Sequence, residues 1–139
     1  MSTPAATRSD EALRAAAEGA MRRAYAPYSD FRVGAALLTP GGEMIVGCNV
    51  ENSSFPSGGC AERGALFAAV VAGHREFTHL TIVTEADEPT PPCGMCRQTL
   101  VEFAPALEIA SFTTTGAAAR WSLAELLPVP FTPQSLHHR

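Results

Sequence analysis

No run of about 18 apolar residues occurs anywhere in the sequence, so nothing reads as a membrane-crossing helix. The N-terminal stretch MSTPAATRSDEALRAAAEG also lacks the apolar core of a secretory signal. The expected compartment is the cytoplasm, where thiols stay reduced and disulfides are rare. Charge is sparse at 17% and carries no basic excess: 10 Lys and Arg stand against 14 Asp and Glu, a net charge of −4. That argues against a chain built to grip phosphate backbones, which would carry a basic face. Internal repeats and internal linkers are missing as well. A chain of 139 residues is then read as one domain spanning 1–139, with residues 1–8 as a loose N-terminal tail. What the sequence does have is an ordinary globular share of hydrophobic residues, 46%.

Hydrophobic periodicity divides the chain into short elements. Ser9 or Asp10 is placed to cap a first helix, along which Leu13, Ala16, Ala17, Ala20, Met21 and Ala24 recur at helical spacing until Pro27. DFRVGAALLTPGGEMIVGCNVEN reads as a hairpin: Phe31, Val33, Ala35 and Leu37 alternate, and Pro40-Gly41-Gly42 marks the turn. A helix is expected over about Cys60–Ala72, stopped by Gly73. HLTIVTE and LEIASFT read as strands, about Gly94–Phe103 as a helix, SLAELL as a short helix, and PVPFTPQSLHHR as a proline-punctuated tail. The order α-β-β-α-β-α-β-α predicts a mixed sheet with helices on both faces.

Cysteines are few: Cys48, Cys60, Cys93 and Cys96. In a reducing compartment they are core thiols, metal ligands or redox groups. Cys93-Gly94-Met95-Cys96 alone is compatible with a redox dithiol or half of a zinc site. Cys60 tips the balance, because it too stands where a helix starts. Helix N-termini offer unpaired N–H groups and positive partial charge, which favour the thiolate that binds metal. No histidine is close in sequence to these thiols; His74 and His79 flank a helix end and a strand start, and His137 and His138 sit in the tail. Three ligands with one open position fit a catalytic zinc rather than a closed structural one. Cys48 is read as a small core residue.

Glu62, two residues after Cys60, is then placed to move protons at a metal-activated water. Its simpler reading is a carboxylate favoured by the helix dipole. Zinc with three thiolates is a net −1 centre, so a cation beside the sulfurs is needed to keep bound water acidic. Arg63 and Arg97 are the candidates, with Arg63 expected on a ligand sulfur.

The combination Cys60-Ala61-Glu62 … Pro92-Cys93-Gly94-Met95-Cys96 resembles the zinc deaminase signature, with cysteine as first ligand. Together with YAPYSDFRVGAALLT, GCNVENSSF, CAERGALF, PCGMCRQTL and ELLPVPF, it is similar to the small homotetrameric cytidine deaminases over about residues 10–136. The resemblance implies an α/β fold, a three-layer α/β/α arrangement around a mixed five-stranded sheet. It implies one Zn²⁺ per subunit on Cys60, Cys93 and Cys96, with Glu62 as catalytic proton shuttle and Arg63 offsetting sulfur charge. It further implies nucleoside contacts from Phe31, Asn49, Glu51 and Ala61, and Phe131 reaching into a neighbouring subunit's site. The implied reaction, serving pyrimidine salvage, converts cytidine and 2′-deoxycytidine to the uridines plus ammonia, a zinc-held hydroxide attacking C4. The implied partners are a small nucleoside and other copies of the chain, with no nucleic acid and no membrane.

Independently of the resemblance, Asn49 and Glu51 are two apart on an apparent strand and so point to one side. Phe55, Gly58-Gly59 and the Val129-Pro130 pair before Phe131 depart from the family pattern, which bears on pocket shape and substrate breadth. Rival readings make different demands. A zinc-stabilised binding module needs a fourth protein ligand, a thiol-redox protein leaves Glu62 without a task, and a nucleic-acid deaminase needs a basic, aromatic-rich groove. A deaminase of antibiotic nucleosides shares the chemistry and differs in substrate.

Overall fold

The computed structural model describes residues 4–136. The elements in order are α1 (Pro4–Met21), β1 (Val33–Leu38), β2 (Met44–Cys48), a 3₁₀ turn at Phe55–Ser57, α2 (Ala61–Val71), β3 (His79–Thr84), α3 (Gly94–Val101), β4 (Glu108–Thr113), β5 (Ala118–Ser122), α4 (Leu123–Leu126) and α5 (Pro133–Leu136). The five strands form one mixed sheet in the order β2-β1-β3-β4-β5. The β3–β4 pair is parallel and the other neighbours are antiparallel.

The sheet is the middle of three layers. On one face, Leu13, Ala17 and Met21 of α1 pack on Ala36, Val83, Ala110 and Phe112. On the other, Ala61, Ala65, Leu66 and Ala69 of α2 and Leu100 of α3 pack on Val33, Ala35, Leu37, Leu80, Ile82 and Ile109. The alternation along β1 therefore serves two cores, and the strand is buried on both faces.

Two glycines let the helices approach this closely. A Cβ on Gly34 would lie 1.8 Å from the Ala17 carbonyl oxygen, and one on Gly47 would lie 2.4 Å from the Ala61 carbonyl oxygen. Both contacts are with backbone, so neither can be relieved by turning a side chain. Gly42, at φ 93°, closes the hairpin turn, and Gly73, at φ 98°, follows the C-cap of α2 as expected.

Three expectations are corrected. The chain is already helical from Pro4, so residues 4–8 are not a loose tail and Ser9 and Asp10 lie inside the helix. Proline is at ease in the first helical turn and alanine is the best helix former, so Pro4-Ala5-Ala6 initiates α1. Residues 1–3, and His137 and His138 in the tail, lie outside the described residues. The strand pattern counted four strands and passed over β5, whose AARWS sequence is poor in β-branched residues and lies at the sheet edge. Part of the tail is also helical, as α5. SLAELL contains the expected short helix, closed by a capping box in which Ser122 and Glu125 exchange hydrogen bonds.

Candidate active site

The two helices that carry the cysteines start at the same place. Cys60 is the N-cap of α2 and Cys93 the N-cap of α3. The first intrahelical bonds run from Gly64 N to the Cys60 carbonyl and from Arg97 N to the Cys93 carbonyl. Earlier N–H groups at each terminus lack intrahelical acceptors and give both ends positive character. Gly47 lets the start of α2 settle onto β2, which sets the height of Cys60 over the sheet.

The three thiols converge. Cys60 Sγ is 3.8 Å from Cys93 Sγ, Cys93 Sγ is 3.4 Å from Cys96 Sγ, and all three sulfurs lie within 4.8 Å of one another. Sulfurs on a tetrahedral zinc with ~2.3 Å bonds stand about 3.8 Å apart, so this donor set fits the ion. Among the described residues no fourth histidine, cysteine or carboxylate joins the group. Cys48 is half-buried at the end of β2 and is not part of it.

Charge is already distributed for metal binding. The Cys60 thiol is brought down to about 5, chiefly by the hydrogen bond it shares with Cys96 and then by those from Arg63 and Cys93, against the opposing effect of burial. Cys96, fully buried, is pushed up, first as the partner of Cys60 and then by burial. Arg63 Nη2 stands 3.7 Å from Cys60 Sγ, the contact with a cysteine sulfur that was expected of it. Arg97 does not do this. Its Nε donates to the Pro92 carbonyl at 2.8 Å and its Nη1 to the Leu126 carbonyl at 2.9 Å, so it pins the cysteine loop to α4.

Glu62, at 6% exposure, is the one charged side chain that is buried among the described residues. Burial pushes its carboxyl up to about 7, with the Cys60 charge adding to the rise and its own backbone N–H and Arg63 opposing it. A carboxyl poised there can both accept and return a proton at neutral pH.

A cavity of about 610 Å³ opens above the sulfurs, lined in part by Phe31, Asn49, Glu51, Ala61, Glu62 and Cys93. Asn49 and Glu51 lie just past the end of β2, in an extended segment whose Val50 bridges Tyr25 and Gly59. Their same-side placement therefore survives, although β2 itself has ended. Phe31 precedes β1 rather than opening it. Asn49 is buried and holds this segment in place: its Oδ1 accepts from Val33 N at 2.8 Å and its Nδ2 donates to the Phe31 carbonyl at 2.7 Å. Tyr28 and Phe55 meet edge-to-face at the cavity wall, centroids 5.9 Å apart.

Phe131 is not brought to the cavity of its own chain. Its backbone is held by Gln98 of α3, through Gln98 Nε2 to the Phe131 carbonyl at 2.8 Å and Phe131 N to Gln98 Oε1 at 3.3 Å, and its ring is 57% exposed. Sequence reasoning missed Tyr28, Ser29 and Thr90 of the cavity wall. They lie in loops, where no periodic signal exists.

A family model for the cytidine and deoxycytidylate deaminase zinc-binding region matches residues 7–110. A cytidine deaminase of Sporosarcina psychrophila is 40% identical over 129 residues, covering 92% of this chain and 95% of its own. One from Halalkalibacterium halodurans is 42% identical over 115 residues, covering 82% and 87% respectively. The crystal structure of cytidine deaminase from Burkholderia pseudomallei superimposes with a TM-score of 0.84 at 46% identity, covering 87% of this chain and 98% of that one. The site geometry and these likenesses agree: the chain belongs to the cytidine and deoxycytidylate deaminase family, and its cofactor is zinc.

Proposed function

We propose that this chain hydrolyses the 4-amino group of cytidine and 2′-deoxycytidine, yielding the corresponding uridine nucleoside and ammonia, with Glu62 as the proton shuttle. The observation that carries the reading is a buried carboxyl raised to about 7 beside three converging thiols, with Glu62, Cys60 and Cys93 lining a cavity of about 610 Å³. Cys60, Cys93 and Cys96 would hold the zinc ion. Bound there, zinc polarises water and lowers its pKa.

The chain's own groups do the rest. Glu62 accepts a proton from the attacking water and delivers it to ring N3, which makes C4 electrophilic. As the water oxygen bonds to C4, Glu62 takes the second proton and passes it to the amino nitrogen. The C4–N bond breaks and ammonia leaves with the bonding pair. Ala61, the first residue of α2, fully buried and lining the cavity, would offer the base an N–H that has no carbonyl acceptor within the helix. Phe31 lies along the ring, and Asn49 and Glu51 take the sugar hydroxyls. Arg63 offsets the excess negative charge of three thiolates.

The assembly is a homotetramer in which Phe131 completes a neighbour's site. The exposure of Val129 and Phe131, apolar side chains on a segment fixed by Gln98, supports this. The enzyme works in the cytoplasm, in pyrimidine salvage. The test is ultraviolet absorbance on mixing zinc-loaded protein with cytidine. Loss of the cytidine spectrum with stoichiometric ammonia is expected. No change, with zinc confirmed present, would overturn the reading.

A further inference from the structure

Ser29 joins the two halves of the nucleoside pocket. Its Oγ donates to Glu51 Oε2 and accepts from the Phe31 N–H at 3.1 Å. The other Glu51 oxygen, Oε1, accepts from the backbone N–H groups of Tyr28 at 3.0 Å and Ser29 at 3.1 Å. The Phe31 carbonyl is in turn held by Asn49, which also holds Val33 N. One continuous hydrogen-bonded path therefore runs Glu51–Ser29–Phe31–Asn49. The turn that makes it possible is held by the Asp30 N–H bond to the Ala26 carbonyl at 3.0 Å, with Asp30 at φ 55°, the one left-handed non-glycine among the described residues.

We propose that Ser29 is the positioning residue of the sugar-binding carboxylate: its hydroxyl fixes the rotamer of Glu51 and ties that rotamer to the placement of Phe31. The inference rests on the nucleoside deaminase reading of the same cavity. An ionised carboxylate offers about four acceptor positions. Three of the four on Glu51 are filled by the Tyr28–Ser29 turn, and the remaining one is turned to a sugar hydroxyl. Without the Ser29 hydroxyl, Oε2 loses its protein donor, the carboxylate can rotate away, and the Phe31 N–H loses its acceptor. The Ser29 hydrogen bond is also the leading reason that the Glu51 carboxyl lies below the ordinary range, so the group is held charged. Ser29 does not touch the reacting atoms in this arrangement, and the chemical step at C4 should not depend on it.

The test is a cycle of Ser29→Ala, Glu51→Ala and the double variant, each zinc-loaded, with cytidine turnover and calorimetric binding of uridine as two readouts. Ser29→Ala is expected to lower kcat/KM on the order of tenfold, through KM, with kcat nearly unchanged. Uridine should bind more weakly by the same factor. In the Glu51→Ala background the serine change should cost much less than in the wild type, because only its bond to the Phe31 N–H is left to lose. Ser29→Thr, which keeps the hydroxyl, should retain both values. An equal, additive loss in both backgrounds would overturn the proposal, as would wild-type KM in Ser29→Ala or a Thr variant as weak as the Ala one. A fall in kcat alone would also overturn it. If the wild-type protein turns over no cytidine, the functional reading fails and this inference falls with it. If the wild type is active, the cycle judges Ser29 alone.

Discussion

The α-carbon of Gly47 sits against the carbonyl oxygen of Ala61, so that a Cβ at residue 47 would stand 2.4 Å from that oxygen and the same distance from the Ala65 nitrogen. Ala61 follows Cys60, one of the three converging thiols, and precedes Glu62. A glycine in an edge strand thus sets how closely the first turn of α2, with Cys60 and Glu62, approaches the sheet.

Gly47→Ala must push the first turn of α2 outward, since backbone cannot rotate out of the way. Overpacking of this kind costs about 1–3 kcal/mol. The displaced part holds Cys60 while Cys93 and Cys96 stay on α3, so zinc affinity should fall with stability. Chelator competition and thermal unfolding measure the two together. Alanine at 47 with unchanged zinc affinity would show that α2 is positioned by something else.

Arg63 lies 3.7 Å from Cys60 Sγ through Nη2, while its buried Nε has no hydrogen-bond partner. The guanidinium is one of the groups that hold the Cys60 thiol down at about 5. Arg63→Gln removes the charge and keeps much of the volume. In chelator-treated protein the Cys60 thiol should then titrate at higher pH, read from thiolate absorbance. In zinc-loaded protein, turnover should fall roughly 10–100-fold, the usual scale for groups supporting a metal site. An unmoved thiol titration would remove Arg63 from the role.

Local signals account for what the sequence made legible. The hairpin turn, the stop at Gly73, and Cys60 and Cys93 at helix starts all depend on residues close in the chain. The third thiol pointed to a metal rather than a dithiol because three donors suit zinc, and the convergence of the sulfurs agrees with that. The illegible parts depend on contacts between distant residues. β5 is an edge strand recruited by pairing with β4, not by its own AARWS sequence. Arg97 had the right neighbours in sequence to serve a sulfur, yet two carbonyls claim it, one of them 29 positions away. Ser29 gives no hint that its hydroxyl meets Glu51, 22 positions on.

Glu62 yields the prediction with the widest reach, because its burial affects both turnover and stability. Glu62→Gln keeps the shape and leaves the three cysteines in place, but an amide cannot ferry protons. Turnover should drop by about 10²–10⁴-fold with zinc content unchanged. The stability effect has a definite sign. The carboxyl is raised from 4.5 to about 7 in the folded chain. Below pH 4.5 it is protonated folded or unfolded, and the buried neutral acid carries no ionic penalty. As pH rises through 7 the folded protein must hold a buried charge that the unfolded chain exposes to water, so stability is lost. In chelator-treated protein, the stability of Glu62→Gln relative to wild type should therefore grow between pH 5 and pH 8. A displacement from 4.5 to about 7 corresponds to about 3 kcal/mol. The Cys60 thiol is present in both proteins and its charge contributes to the rise at Glu62, so the pH-dependent difference between them reports the glutamate together with that coupling. Urea unfolding at the two pH values supplies the measurement. A stability difference that stays flat with pH would mean that the carboxyl is not strained by burial, and wild-type turnover in the variant would mean that the proton travels by another route.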